Sequence, residues 1–131
     1  MYLQLSTWPE VESYLKSSSA CLIPIGSTEQ HGRHLPLDTD TVIAEALTAR
    51  IVARWGHAYD LWQLPVQRVG LSREHAWAAG TVSRSITEMT ATLRDMAREI
   101  AATPARNLLI VNGHGGNRGI LEAAGYEVAG R

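Results

Sequence analysis

Short apolar segments alternate with helix-forming segments along this chain, and this alternation limits its fold more than any other feature. Residues 20–25, 59–66 and 107–111 are apolar and too short for helices, which indicates strands. Helices are expected over 39–54 and 85–100, where apolar residues recur every three or four positions. Strands that alternate with helices form a parallel sheet with right-handed crossovers, so we predict an α/β fold.

Apolar spacing and capping residues support both helices. Ile43, Leu47 and Ile51 recur every four residues with Ala44 and Ala46 beside them, which predicts a helix to about Arg54 that closes near Gly56. The second helix should start at a capping box, in which a serine at 85 precedes Glu88 by three residues. These helices are expected to cover the sheet.

The sequence also predicts how two of the strands lie in the sheet. The unbroken apolar character of 107–111 is typical of a parallel strand that is covered on both faces. Pro24 cannot donate a ladder hydrogen bond, which places it at a sheet edge or near the end of its strand. A long irregular stretch over 67–84 follows the second strand, and a final helix is predicted over 117–128.

Composition excludes several classes of function. With 12 Lys+Arg against 13 Asp+Glu the net charge is −1, which provides no basic surface for nucleic acid. Cys21 is the single cysteine, so a disulfide framework is excluded. No apolar run approaches the roughly 20 residues that span a bilayer, and no signal peptide is visible. We expect a cytoplasmic protein without a membrane partner, formed as one domain over 1–131.

Polar clusters follow the first and third predicted strands. Residues 26–40 contain Glu29, His31 and Asp40, and residues 112–117 contain His114. Because ligands of parallel sheets bind at the carboxyl ends of the strands, we expect these side chains to share one edge. Two carboxylates and two imidazoles suit Zn²⁺, Mn²⁺ or Fe²⁺ better than Mg²⁺ or Ca²⁺. Since Asp40 could bridge two ions, the cluster could form a two-metal centre.

Each of these residues also has a purely structural interpretation. His31 and His34 could make loop hydrogen bonds, Asp40 could cap the following helix, and the glycines of 113–116 could serve a tight turn. The glycine turn could also cradle a phosphate, although it matches neither the P-loop nor the dinucleotide-binding spacing. The four potential ligands at one edge favour a metal site.

Three segments are similar to motifs of the creatininase (creatinine amidohydrolase) family. They read Gly-Ser-Thr-Glu-Gln-His-Gly-Arg-His-Leu-Pro-Leu-Asp-Thr-Asp at 26–40, Gly-Leu-Ser-Arg-Glu-His at 70–75 with Gly-Thr-Val-Ser at 80–83, and Asn-Gly-His-Gly-Gly-Asn at 112–117. The resemblance implies a three-layer α/β/α sandwich with a mostly parallel sheet. It also implies a two-metal site of Zn²⁺ or Mn²⁺, hydrolysis of amide-type C–N bonds, and a homo-oligomer, frequently a hexamer.

The resemblance assigns roles to individual residues. Glu29 and His114 would hold one metal ion, His31 would hold the other, and Asp40 would bridge them. Four more residues match positions near the metals, where they would contact the substrate or support the ligands: His34, Ser72, Glu74 and His75.

The sequence departs from the family pattern in the last motif. Creatininase has Tyr and Glu where this chain has Gly115 and Gly116, so the second metal lacks a carboxylate. Relatives with the His-Gly-Gly-Asn turn usually take this ligand from a later His- and Glu-rich segment, which the sequence to Arg131 does not contain. The resemblance is to the N-terminal half of the family. We therefore expect an incomplete domain: a fragment, a truncated reading frame or a subunit completed by another copy.

Two functions are compatible with these observations. The first is a metal-dependent hydrolase, in which a metal-activated water attacks a cyclic amide, formamide or peptide carbonyl. The His-Gly-Gly-Asn turn favours a formamide nucleotide precursor or a modified peptide over creatinine as the substrate. The alternative is a truncated, non-catalytic member that acts as an assembly or metal-binding subunit. A hydrolase should bind two metal ions per chain, and a non-catalytic remnant one or none.

Overall fold

The computed structural model describes residues 1–129. Three one-turn 3₁₀ helices lie at Leu3–Leu5, Arg73–His75 and Gly115–Asn117. The strands and α-helices, in chain order, are α1 (Trp8–Tyr14), β1 (Ala20–Ile25), α2 (Thr39–Tyr59), β2 (Leu61–Gln63), α3 (Ile86–Ala101), β3 (Asn107–Asn112) and α4 (Arg118–Ala129). No helix among the described residues is both long and apolar enough to cross a bilayer.

The three strands form one parallel sheet in the order β2-β1-β3. The central strand β1 is buried along its whole length. Ile23 and Ile25 pack against α3 and α4, whereas Leu22, on the opposite face, packs against Val52 of α2. Alternate residues of a strand point to opposite faces, so helices cover the sheet from both sides. The predicted α/β fold with a parallel sheet and three layers is confirmed.

Helix α2 is longer than predicted, and its most regularly spaced large apolar residues do not form its buried face. It continues to Tyr59 and ends at Asp60, which has a left-handed φ of 50°, so Gly56 lies inside the helix. Ile43 and Leu47 are 54% and 50% exposed. The buried face instead carries small or β-branched side chains: Thr41, Ala44, Thr48, Val52 and Gly56. Small residues allow the helix to approach the sheet closely.

Strand β3 is less covered than its apolar sequence predicts. It is an edge strand of the three-stranded sheet, and Leu109 and Ile110 are 49% and 38% exposed. The prediction that both faces are covered is therefore wrong for the described residues. Pro24 is the fifth residue of the central strand, so its expected place near the strand end is correct and the edge alternative is not.

The remaining boundaries shift by a few residues. Strand β2 is only Leu61–Gln63, because Tyr59 belongs to α2 and the chain leaves the sheet before Pro65. Helix α3 begins after Ser85, which forms the predicted capping box with Glu88. The irregular stretch over 67–84 holds a single 3₁₀ turn, and the final helix starts at Arg118, one residue after the predicted start.

The single cysteine lies in a core cluster with Leu15, Trp62, Ile100 and Ala105. Burial, and then the negative charge of Asp60, raise the pKa of the Cys21 thiol to about 11. Because the thiolate is the reactive form, we expect Ellman's reagent to label Cys21 very slowly at neutral pH in the folded protein and rapidly in guanidinium chloride. Rapid labelling without denaturant would contradict this packing.

Candidate metal centre

The carboxyl ends of β1 and β3 bring the two polar motifs to one edge of the sheet. Directly after β1, Gly26 packs against the start of α2, where a Cβ atom would lie 2.4 Å from the Cα of Thr41. This close approach places Asp40, in the first turn of α2, beside the segment that follows β1. His114 lies in the turn that leaves β3. The expected meeting of the two motifs is therefore observed.

The carboxylate of Asp40 contacts both histidines. Its Oδ1 atom lies 2.9 Å from His31 Nε2, and its Oδ2 atom lies 2.8 Å from His114 Nδ1. Glu29 Oε1 is 3.3 Å from His114 Nδ1 and 3.9 Å from His31 Nε2. Glu29, Asp40 and His114 are buried, and His31 is partly exposed. The structure thus groups all four residues that the motifs predicted as ligands.

Backbone carbonyl groups orient both imidazole rings. His114 Nε2 is 2.7 Å from the carbonyl oxygen of Leu71, and His31 Nδ1 is 3.0 Å from that of Glu29. A carbonyl oxygen can only accept a hydrogen bond, so these two nitrogens carry the hydrogens. The second nitrogen of each ring faces the shared carboxylates. This arrangement is typical of metal-binding histidines, whose other N–H group is commonly held by a carbonyl or carboxylate.

The pKa of His31 depends on the same contacts. Burial by itself lowers this pKa, but the hydrogen bonds to the Glu29 carbonyl and the Asp40 carboxylate, together with both negative charges, raise it overall. The carboxylates thus surround the ring with negative charge, which would also attract a cation.

The donor set suits a divalent transition metal. Two groups of residues place one potential ligand atom each within 4.8 Å of the others: Glu29, His31 and Asp40, and Glu29, Glu74 and His114. Within residues 1–129, Glu29 Oε2 is buried and has no hydrogen-bond partner. A buried carboxylate oxygen is costly unless it is paired, and a metal ion would provide the pairing. Mixed imidazole and carboxylate ligands are those of Zn²⁺, Mn²⁺ and Fe²⁺ sites.

Of the other four candidate residues, two lie beside the potential ligands and two do not. Ser72 is buried and its Oγ lies 3.5 Å from His114 Nε2, and Glu74 joins the second group of potential ligands. His75 is half-buried, and its Nδ1 accepts a hydrogen bond from Gln30 Nε2 at 2.9 Å. His34 is exposed and lies outside both ligand groups found among the described residues.

Small polar residues that the sequence analysis did not assign hold the site together. Ser27 Oγ donates to Asp40 Oδ2 at 2.8 Å. Asn117 is fully buried; its Nδ2 donates to the Gly26 carbonyl and its Oδ1 accepts from the N–H group of Leu71, at 3.1 and 2.9 Å. Both residues lie inside the recognised motifs, but in glycine-rich segments such residues are also typical of ordinary turns, so no role could be assigned.

Fold and site together define an α/β protein with a candidate metal centre of carboxylates and imidazoles at the carboxyl edge of a parallel sheet. A family model described as creatinine amidohydrolase matches residues 4–131. The chain therefore belongs to the creatininase family.

Curated relatives include a mycofactocin precursor peptide peptidase of Mycobacterium tuberculosis, which is 48% identical over 115 residues, 82% of this chain and 45% of that protein. A creatinine amidohydrolase of Pseudomonas putida is 30% identical over 114 residues, which are 82% of this chain and 42% of that protein. The chain thus spans about half the length of the relatives it matches.

Solved creatininase structures show the same fold. One with a Trp-to-Ala substitution superimposes with a TM-score of 0.87 at 26% identity and covers 97% of this chain and 50% of that one. Others are described as a Zn-Zn type creatininase mutant, with a TM-score of 0.81, and as a Mn creatininase, with a TM-score of 0.82.

Proposed function

We propose that this chain is part of a metal-dependent hydrolase of amide-type C–N bonds, with Glu29, His31, Asp40 and His114 as metal ligands. The observation that carries the proposal is the orientation of the two histidines. Each ring has one nitrogen held by a backbone carbonyl and the other directed at a carboxylate of Asp40. Membership of a family with hydrolase members supports the same reaction.

The geometry supports a division of ligands between two ions. Asp40 would bridge them, because its two oxygens face different histidines. Glu29 would join His114 on the first ion, since its Oε1 lies closer to that histidine than to His31. Zn²⁺ or Mn²⁺ is the expected metal, and Fe²⁺ suits the same ligands. When bound, such ions polarise a carbonyl oxygen and lower the pKa of water.

The protein's own residues keep the ligands in place before any substrate arrives. Ser27 donates to Asp40, and the carbonyl groups of Leu71 and Glu29 fix the two rings. Such supporting contacts raise ligand basicity and hold the ring orientation. Burial of Glu29, Asp40 and His114 excludes water from their surroundings, which strengthens their electrostatic interaction with a cation.

We infer that the substrate is a peptide rather than creatinine. The support is the difference in similarity: 48% identity to the mycofactocin precursor peptide peptidase against 30% to the creatinine amidohydrolase, over segments of similar length. At Gly115, next to His114 in the chain, a Cβ atom would meet nothing within 4 Å, so this side of the turn is open. A homo-oligomer remains a prediction from the family resemblance.

The experiment that tests this function compares metal content and turnover in the same preparations. We expect protein purified without added metal to contain about two Zn or Mn ions per chain, and to cleave a mycofactocin precursor peptide but not creatinine. Chelation should abolish cleavage, and added Zn²⁺ or Mn²⁺ should restore it. His31→Ala should lose both metal and cleavage. His57→Ala, an exposed histidine at the far end of α2, is the matched control and should lose neither.

The outcomes separate the two functions. Native mass spectrometry should be run on the same samples, because an oligomer could complete the ligand set between copies. Stable protein that binds one metal ion or none and cleaves neither substrate would contradict the hydrolase and favour the non-catalytic subunit.

A further inference from the structure

A carboxylate from an irregular loop reaches the metal centre. Glu74 lies on the 3₁₀ turn Arg73–His75, yet one of its oxygens is within 4.8 Å of the potential ligand atoms of Glu29 and His114. We propose that Glu74 is a further protein ligand of the ion held by Glu29 and His114, and that Gly116 lacks a side chain to leave space for it. This inference rests on the proposed function, because it concerns the same centre.

The space around Gly116 supports this role. A Cβ atom on Gly116 would lie 2.9 Å from Glu74 Oε1, 2.5 Å from His114 Nε2 and 2.5 Å from the carbonyl oxygen of Leu71. The preceding residue is different, since a Cβ atom on Gly115 would meet nothing within 4 Å. Of these two glycines Gly116 therefore faces the site, and a side chain there would clash with His114 Nε2 and the Leu71 carbonyl oxygen as well as with Glu74.

Hydrogen bonds tie the loop of Glu74 to the turn of His114. The N–H group of Leu71 donates to Asn117 Oδ1 at 2.9 Å, and the carbonyl oxygen of Leu71 accepts from His114 Nε2 at 2.7 Å. The N–H group of Ser72 donates to Ser83 Oγ at 2.8 Å, which anchors the loop a second time. These bonds hold Leu71 and Ser72, three and two residues before the exposed Glu74, beside the turn of His114.

The negatively charged carboxylates near His114 favour the binding of a cation at this position. Glu29 is 5% exposed, and its Oε2 has no hydrogen-bond partner among the described residues. Adding the carboxylate of Glu74 places three acidic groups, with Asp40, around this imidazole. Carboxylates this close repel one another unless a proton or a metal ion lies between them. A divalent ion would relieve the repulsion and pair the free oxygen of Glu29.

This assignment adds a carboxylate to the first ion, and it does not replace the one that the second ion lacks at residue 116. The donor comes from the loop between β2 and α3, which the helix and strand pattern did not connect with the site. The Glu74 carboxylate and a side chain at residue 116 could not occupy this space together, so the loop carboxylate requires glycine at 116.

Metal titrations of two matched pairs of variants test the proposal. We expect Glu74→Gln to weaken the binding of one Zn²⁺ or Mn²⁺ ion by at least about 10–100-fold, the cost of losing even an indirect metal contact. Glu122→Gln removes an exposed carboxylate on α4 and should bind as the wild type does. Gly116→Ala should weaken the binding of the same ion, and Gly115→Ala should leave it unchanged. Affinity is measured with a chromophoric chelator as competitor, so no turnover is needed.

Each result of these titrations supports or overturns the assignment of Glu74 as a ligand. Wild-type affinity in Glu74→Gln overturns the inference and leaves the proposed function intact; if cleavage alone falls, Glu74 contacts the substrate instead. A wild-type chain that binds no metal contradicts the proposed function, and the inference with it. If Gly116→Ala does not fold, the pair Glu74→Gln and Glu122→Gln is sufficient.

Discussion

Asp40→Asn is expected to abolish metal-dependent stabilisation and to lower peptide cleavage by more than about a hundredfold. The substitution keeps the shape of the side chain but replaces one charged oxygen by an amide that donates hydrogen bonds. Each Asp40 oxygen lies within 2.9 Å of a different histidine nitrogen, so whichever oxygen is replaced, one ion loses a ligand. Loss of a residue that only supports a ligand lowers metal affinity or activity by about 10–100-fold, and loss of a ligand shared by two ions should lower them further.

Thermal unfolding with and without metal measures this effect directly. A ligand that binds only the folded state stabilises it by about 2.7 kcal/mol at a concentration of 100 times its Kd. Wild-type protein should therefore unfold at a higher temperature when Zn²⁺ or Mn²⁺ is added, and Asp40→Asn should not. Asp38→Asn is the control, because Asp38 lies two residues away and its side chain, which makes no capping hydrogen bond, forms a long, exposed ion pair with Arg68. Equal metal-induced shifts in the wild type and Asp40→Asn would contradict the assignment of Asp40.

Gly26→Ala is expected to destabilise the protein by at least about 3 kcal/mol, at the upper end of the range for overpacking. The new Cβ would lie 2.4 Å from the Cα and 2.5 Å from the backbone nitrogen of Thr41. Backbone atoms cannot rotate away as a side chain can, so the start of α2 must move. Because Asp40 precedes Thr41, that movement would also separate Asp40 from the histidines.

Urea unfolding followed by circular dichroism provides the comparison. Gly119→Ala is the matched control, since a Cβ atom at that position in α4 meets nothing within 4 Å. Alanine favours a helix over glycine by up to about 1 kcal/mol, so this control should be neutral or more stable. An unchanged unfolding midpoint for Gly26→Ala would show that α2 does not approach the end of β1 as closely as described.

The grouping of the four candidate ligands was predictable because they combine a local motif with a general property of parallel sheets. Glu29, His31 and Asp40 lie within one short segment, and the strand pattern placed His114 at the same edge. The family resemblance placed Glu74 near the metals, but its proposed role as a ligand could not be predicted from the helix and strand pattern. Its loop has no periodicity, and its position depends on contacts between residues far apart in the sequence, such as Leu71 with Asn117.

The apolar spacing of α2 does not identify the face that the helix buries. Ile43 and Leu47 recur with the same spacing as Ala44 and Thr48, so periodicity predicts the helix but not which of two adjacent stripes is buried. Hydrophobicity alone would favour burial of the stripe that contains Ile43 and Leu47. Helix α2 instead lies so close to Gly113 that a Cβ atom there would be 3.0 Å from Ala44 Cβ, and this close approach requires small residues on the buried face. A similar limit applies to β3, whose apolar sequence does not reveal that it lies at an edge.

The parallel strand order also sets when the centre can form during synthesis. Its candidate ligands extend from Glu29 to His114, a separation of 85 positions, and β3 pairs with β1 only after both crossovers are complete. A nascent chain emerging from the ribosome therefore has no complete ligand set until nearly all of the described residues have left the exit tunnel. Under the proposed assignment, an ion that needs all four residues can bind only after His114 has emerged, so it cannot guide the earlier pairing of β1 with β2.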